Sequence, residues 1–312
     1  MIGGATPQRD RRQLAAAGHA LRIIHPGPPA PDRIQAALAP LVKIEATLQP
    51  GQSFCDSIGQ VLAVEGITAA ALQFRDLAFQ PMRYVQPAHS ADPGRVAWYS
   101  ATRAPQGVVA MDRIVASYGQ KDGAPFIHCH ALWTDDAGQM HGGHILPHEA
   151  RLARPARMIA FGTRDAALTA RPDPETGFAL FDLAPAPRRG EGRLVVARLR
   201  PNVDLVTGCQ EVCAALGVNS ARVLSGIGST IGAQLEGQPE ITAVPTELIV
   251  TDGRITRSAA GWEVDLPVDL IDIDGRVHRG RPERGANPVL ICFELFLQVE
   301  AMTAAPDKDH DP

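Results

Sequence analysis

Phe126-Ile-His-Cys-His-Ala-Leu-Trp-Thr-Asp-Asp-Ala-Gly-Gln-Met-His-Gly-Gly-His144 places three histidines where a strand, a turn and a returning strand can bring them together. Side chains of a strand alternate between its faces, so His128 and His130 project from one side and Cys129 from the other. Asp135-Asp-Ala-Gly138 supplies the turn chemistry. A register with Trp133 opposite His141 sets His144 across from His130, at the roughly 5 Å of cross-strand neighbours. Gly142 then shares the histidine face and leaves space above the ring nitrogens, while His141 points the other way.

Three neutral imidazoles at one point suit a divalent first-row metal, zinc first. A fourth position left to water is the arrangement of a catalytic site. Cys129 is excluded as a ligand by its face, and the chain has no Cys-x-x-Cys pair of the kind structural zinc sites use. The competing account makes the histidines ordinary strand residues with separate hydrogen bonds.

The 312 residues, 45% hydrophobic, can fill two ordinary cores. A net charge of −4 and a pI near 6.2 give no cationic field to attract phosphate backbones, which argues against DNA or RNA as a partner. The five cysteines, Cys55, Cys129, Cys209, Cys213 and Cys292, are odd in number and widely spread, as expected of buried thiols in a reducing compartment. No stretch has the length and apolarity of a signal peptide core or membrane span, so a soluble cytoplasmic protein is expected. Residues 1–20 and 304–312 read as polar, flexible tails.

The chain also contains a duplication. Leu48-Gln-Pro-Gly lies on Leu199-Arg-Pro-Asn at an offset of 151, and both copies read strand, helix, Gly, strand. In the second copy Val206, Cys209, Val212, Cys213 and Leu216 recur at helical spacing after Asp204, a helix N-cap, and Gly217 stands where a helix end favours positive φ. Asp135-Asp-Ala-Gly138 matches Asp272-Ile-Asp-Gly275 at a smaller offset of 137. The first copy's extra chain falls in Gln86–Arg103, a Pro- and Ser-containing segment with Trp98 and Tyr99 that reads as a flap or a subunit contact. At the 137 offset His128 falls on Asp265, His130 on Pro267 and His144 on Arg281, so the second copy lacks the ligands. The resulting division is a metal-binding domain at 21–163, a linker at 164–192 and a second domain at 193–303.

Asp112-Arg-Ile-Val-Ala-Ser-Tyr-Gly119, Phe126-Ile-His-Cys-His130, Asp136-Ala-Gly138 and Gly142-Gly-His144 together resemble the bacterial form of the PPC (plant and prokaryote conserved) domain, and Leu224-Ser-Gly-Ile-Gly-Ser229 with Glu247-Leu-Ile-Val-Thr-Asp-Gly253 resemble its central strands in the second copy. The resemblance extends from about residue 21 to residue 300. It implies an α+β fold of two tandem domains, each a bent antiparallel β-sheet packed against a helix, and a homo-oligomer, either a trimer like single-domain members or a pseudo-symmetric assembly. It also implies kinship with the fold of α-acetolactate decarboxylase, where a three-histidine zinc polarises an oxo acid. Plant members bind AT-rich DNA through a separate AT-hook. Arg279-Gly-Arg-Pro282 spells that core, but it aligns with a hairpin inside the second copy and Glu283 follows it, so a hook is not expected.

The expectation is therefore a metal-dependent lyase or hydrolase for a small oxygenated metabolite, with zinc on His128, His130 and His144. Asp112 is the candidate for orienting a histidine and Arg103 for meeting a substrate carboxylate. The alternative is a non-catalytic assembly or sensor module, or a DNA-binding regulator.

Overall fold

The structure, a computed structural model, describes residues 21–184 and 192–303. The expected tails, 1–20 and 304–312, lie outside the described residues. Two nine-stranded, almost wholly antiparallel sheets each pack a helix. In the first sheet the order is Val42–Leu48, Ala156–Thr163, Ala69–Arg75, Arg113–Lys121, Ala124–Thr134, Met140–Ile145 and Tyr84–Val85. The second runs Leu194–Leu199, Val289–Met302, Val218–Thr230, Thr246–Val250, Val268–Ile271 and Val277–Gly280 in the corresponding places. Register shifts along the pairing of Val218–Thr230 with Val289–Met302 bend that sheet.

The helices Phe54–Val64 and Leu205–Ala215 begin and end 151 residues apart, the offset of the repeat. Each starts on a capping side chain: Ser53 accepts from the Asp56 amide and Asp204 from that of Thr207. Each ends before a glycine of positive φ, Gly66 and Gly217. Cys209 and Cys213 are buried core neighbours one helical turn apart. The second offset is equally exact in its hydrogen bonds. Asp135 caps the amides of Ala137 and Gln139 and binds His141, while Asp272 caps those of Asp274 and Arg276 and binds His278.

Two boundaries differ from expectation. Ile34–Ala39 crosses over and forms the edge strand of the second sheet beside Leu194–Leu199, so the first domain is not a continuous segment from residue 21. The segment 164–192 is not simply a linker. Ala167–Pro172 and Ala179–Ala184 form a hairpin joined to the first sheet where Thr169 meets Gln120. Its turn, Asp173-Pro-Glu-Thr-Gly177, is closed by Asp173 accepting from the Thr176 amide, and residues 185–191 of the expected linker lie outside the described residues.

The two sheets then pack face to face. Val115 and Leu132 of the first meet Ile227, Ile249 and Ile271 of the second, and a small-residue layer of Ala69 and Ala71 from the first meets Ala37, Leu194, Val196 and Phe296 of the second. A Cβ at Gly142 would sit 2.5 Å from Ile271 Cγ1, so glycine here lets the sheets approach closely. The space expected above Gly142 is filled by Ile271.

Buried ion pairs fasten this contact. Asp173 of the hairpin turn receives Arg198 at 2.7 Å and Arg200 at 3.0 Å from the second sheet. Burial alone would raise the Asp173 carboxyl, but the hydrogen bond and charge of Arg198 outweigh it and hold the group below its ordinary value. A lowered carboxylate stabilises the fold above its unfolded pKa, about 4, and loses that contribution as pH falls through the folded value. Asp173→Asn should therefore cost about 3 kcal/mol at neutral pH by leaving a buried arginine unpaired. In denaturant titrations the gap from the parent chain should narrow below roughly pH 4; a gap independent of pH would refute the pairing.

Candidate metal centre

The strand Ala124–Thr134 is buried on both faces. Cys129, Ala131 and Trp133 enter the core of the first helix, so His128 and His130 face the second sheet. His130 pairs with His144 and Trp133 with His141, the register read from the sequence. On the outer face His141 stacks on Trp133 and binds Asp135. The rings of His128, His130 and His144 have centroids 4.8, 5.2 and 5.3 Å apart, and one nitrogen from each falls within 4.8 Å of the others.

The second domain orients two of these rings. His128 Nδ1 lies 3.0 Å from Glu294 Oε1, and His130 Nδ1 lies 3.2 Å from the Leu248 carbonyl oxygen. A carbonyl oxygen only accepts, so His130 carries its hydrogen on Nδ1 and leaves Nε2 as a lone pair. With His128 donating to the carboxylate in the same way, two Nε2 atoms meet 3.2 Å apart. Among the described residues, His144 Nδ1 is buried without a hydrogen-bond partner. Glu247 Oε1 stands 3.7 Å from His130 Nε2, and the second oxygens of both Glu247 and Glu294 are buried and unpartnered.

Burial dominates the electrostatics. Desolvation, followed by the charges of His128 and His144, depresses His130 well below the ordinary imidazole value. Desolvation and His128 lower His144 to about 3. Burial raises Glu247 to about 8 and pushes the phenol of Tyr99 and the thiol of Cys292 up. His130 and His144 are thus neutral at neutral pH, the form that binds metal.

The segment expected as a flap or a subunit contact packs beside the centre. Trp98 and Tyr99 pair with Pro87 and Ala88, the Tyr99 ring lies 5.2 Å from that of His144, and both Trp98 and Tyr99 pack on Phe178 of the hairpin. Asp112 and Arg103 are elsewhere. Asp112 is exposed and accepts from Thr134 at 2.6 Å, at the strand end beyond Leu132, and the acceptor for His128 is Glu294 instead. Arg103 is exposed, with its backbone paired to Tyr84, and neither residue lines the cavities at the histidines.

The sequence reading does not single out Glu247 or Glu294, yet Glu247 is the one carboxylate of Thr246–Val250 and Glu294 stands in the apolar part of Val289–Met302, six residues before the more exposed Glu300. A charge there requires a partner from another element. The positions aligned with His128 and His144 form a surface ion pair, with Arg281 on Asp265 at 2.7 Å. Arg279 binds Asp269 at 2.6 Å, so both arginines of the hook-like tetrapeptide are tied down within the second sheet.

No family model matches the chain, and no curated protein matches it. Among solved structures it is similar to a metal-containing protein from Archaeoglobus fulgidus, with 18% identity, a TM-score of 0.38, and 48% of this chain and 97% of that one covered. A plant- and prokaryote-conserved (PPC) protein from Pyrococcus horikoshii gives 16% identity and a TM-score of 0.37 over 47% of this chain and 94% of its own. A Ralstonia eutropha protein, named as a candidate DNA-binding protein, gives 22% and 0.35 over 45% and 90%.

Because their folded pKa values lie below the unfolded 6.5, His130 and His144 should destabilise the metal-free chain as pH falls below about 6.5. Nitrogen-15 NMR of the metal-free protein should find both rings neutral at pH 5, with the His130 hydrogen on Nδ1. Titration of both near pH 6.5 would contradict the buried geometry.

Proposed function

We propose that the chain is a metal-dependent enzyme, a lyase or hydrolase for a small oxygenated metabolite, with one divalent ion, zinc first, held by His128, His130 and His144. The observation that carries this is the meeting of two imidazole lone pairs at 3.2 Å beside a buried, unpartnered His144 Nδ1. Two nitrogens bound at roughly 2.0–2.1 Å on a tetrahedral zinc lie about 3.3 Å apart, so the donor set fits such an ion. When bound, the metal supplies Lewis acidity toward a carbonyl or carboxylate oxygen, or a more acidic water.

The chain's own groups do the rest. Glu294 and the Leu248 carbonyl fix the tautomers and ring planes of His128 and His130. Glu247, beside His130 and facing the cavity, is placed to hold or pass a proton to a bound molecule. Trp98, Tyr99 and Phe178 limit the access of water. This assigns proton transfer to Glu247 in place of Asp112, and gives Arg103 no part in binding. The metal-containing relative from Archaeoglobus supports the metal; the DNA-binding name of the Ralstonia protein is not matched by free arginines at 279 and 281.

Elemental analysis of untagged protein should find close to one zinc per chain, and His130→Ala of confirmed fold should find none. Glu294→Gln should keep the fold but weaken zinc by about 10–100-fold in chelator competition. Glu247→Gln should retain zinc. Wild-type chain that takes up no zinc after its addition would refute the reading.

A further inference from the structure

The walls around the histidines restrict what can bind, and the following rests on the metal reading above. A cavity of about 250 Å³ reaches His128, His144 and Glu294 between Trp98, Tyr99, Phe126, Phe178, Leu180 and Phe181. A smaller one, about 50 Å³, shares Trp98, Tyr99 and Phe178 and reaches His130 and Glu247. The aromatic rings meet edge or tilted, with Trp98 and Phe178 centroids 4.9 Å apart and those of Phe126 and Phe181 5.4 Å apart. Such walls offer both faces and edges to a further ring.

Charge narrows the choice. Among the described residues, the smaller cavity is lined by Glu247 and the larger by Glu294, and neither by a lysine or arginine. A phosphate or dicarboxylate would enter the larger cavity without a cationic side chain among the described residues to replace its lost hydration, and would meet the acidic side chain of Glu294. Arg95 lies over Trp98, its guanidinium carbon 4.0 Å from the ring centroid, and is not part of either lining. Size narrows it again. An apolar cavity of roughly 150 Å³ accommodates benzene, so the larger one suits one ring with a short substituent.

We propose that this cavity selects a monocyclic aromatic carbonyl compound carrying at most one negative charge. Its ring lies among Trp98, Phe178 and Phe181 and its oxygen reaches the histidine centre. Trp98 and Phe178 then determine specificity by accepting the ring, and the histidines bind whatever small oxygen donor the ring delivers.

The test compares benzohydroxamate with acetohydroxamate, which share a metal-binding head and differ in the ring, by calorimetry on the zinc-loaded full chain. Benzohydroxamate should bind at least about tenfold more tightly, as burial of a phenyl ring implies. Trp98→Ala, and separately Phe178→Leu, should reduce that preference to about threefold or less while zinc content stays unchanged. Equal affinities on zinc-loaded protein would overturn the aromatic assignment and leave the metal reading standing. A chain that holds no zinc overturns the metal reading, and benzamide against acetamide on that metal-free chain then tests the cavity alone. Binding of neither amide, or of both equally, overturns the assignment.

Discussion

The closure of one sheet face upon the other is the constraint on which the rest depends. It removes the inner face of Ala124–Thr134 from water, and that face carries His128 and His130. A polar group buried in this way must find partners within the protein. His128 finds Glu294 and His130 finds the Leu248 carbonyl, both across the interface. Site and interface are therefore one object: the pairing that orients the rings also fastens the domains, and the depressed imidazoles and raised Glu247 follow from the same loss of water.

The two halves differ in a way this geometry explains. Away from the histidine face, both halves carry the same turn lock, Asp135 with His141 and Asp272 with His278. In the second half the positions that align with His128 and His144 are Asp265 and Arg281, which satisfy each other at its exposed edge. The second copy instead contributes carboxylates from Thr246–Val250 and Val289–Met302 to the first copy's histidines. Each half supplies what the other lacks, and the crossed strand Ile34–Ala39 ties them further.

What could be read from sequence divides along the range of the interactions. The period of two and the Asp-Asp-Ala-Gly turn determine the register of His130 and His144 locally, and the helix caps are local too. Glu247 and Glu294 lie more than a hundred residues from the histidines, and only sheet packing unites them. The hairpin at Ala167–Ala184 was hidden by composition: Pro- and Arg-rich residues follow it, although Asp173-Pro-Glu-Thr-Gly177 between alternating strands is a turn signal of its own. Nothing local distinguishes Ile34–Ala39 from a strand of the nearer sheet, because alternation specifies a face and not a partner.

The same burial bears on what cation the histidines await. A proton on His128 could bridge to His130 across 3.2 Å while Glu294 balances its charge, and such a chain of hydrogen bonds would need no metal. It would serve only that pair. His144 Nδ1, Glu247 Oε2 and Glu294 Oε2 would stay buried without partners, each at a cost of about 1–3 kcal/mol or more. A divalent ion would engage all three imidazoles at once, in linings that among the described residues hold acidic side chains and no lysine or arginine. The balance of unsatisfied groups, more than the count of histidines, favours a metal over a proton.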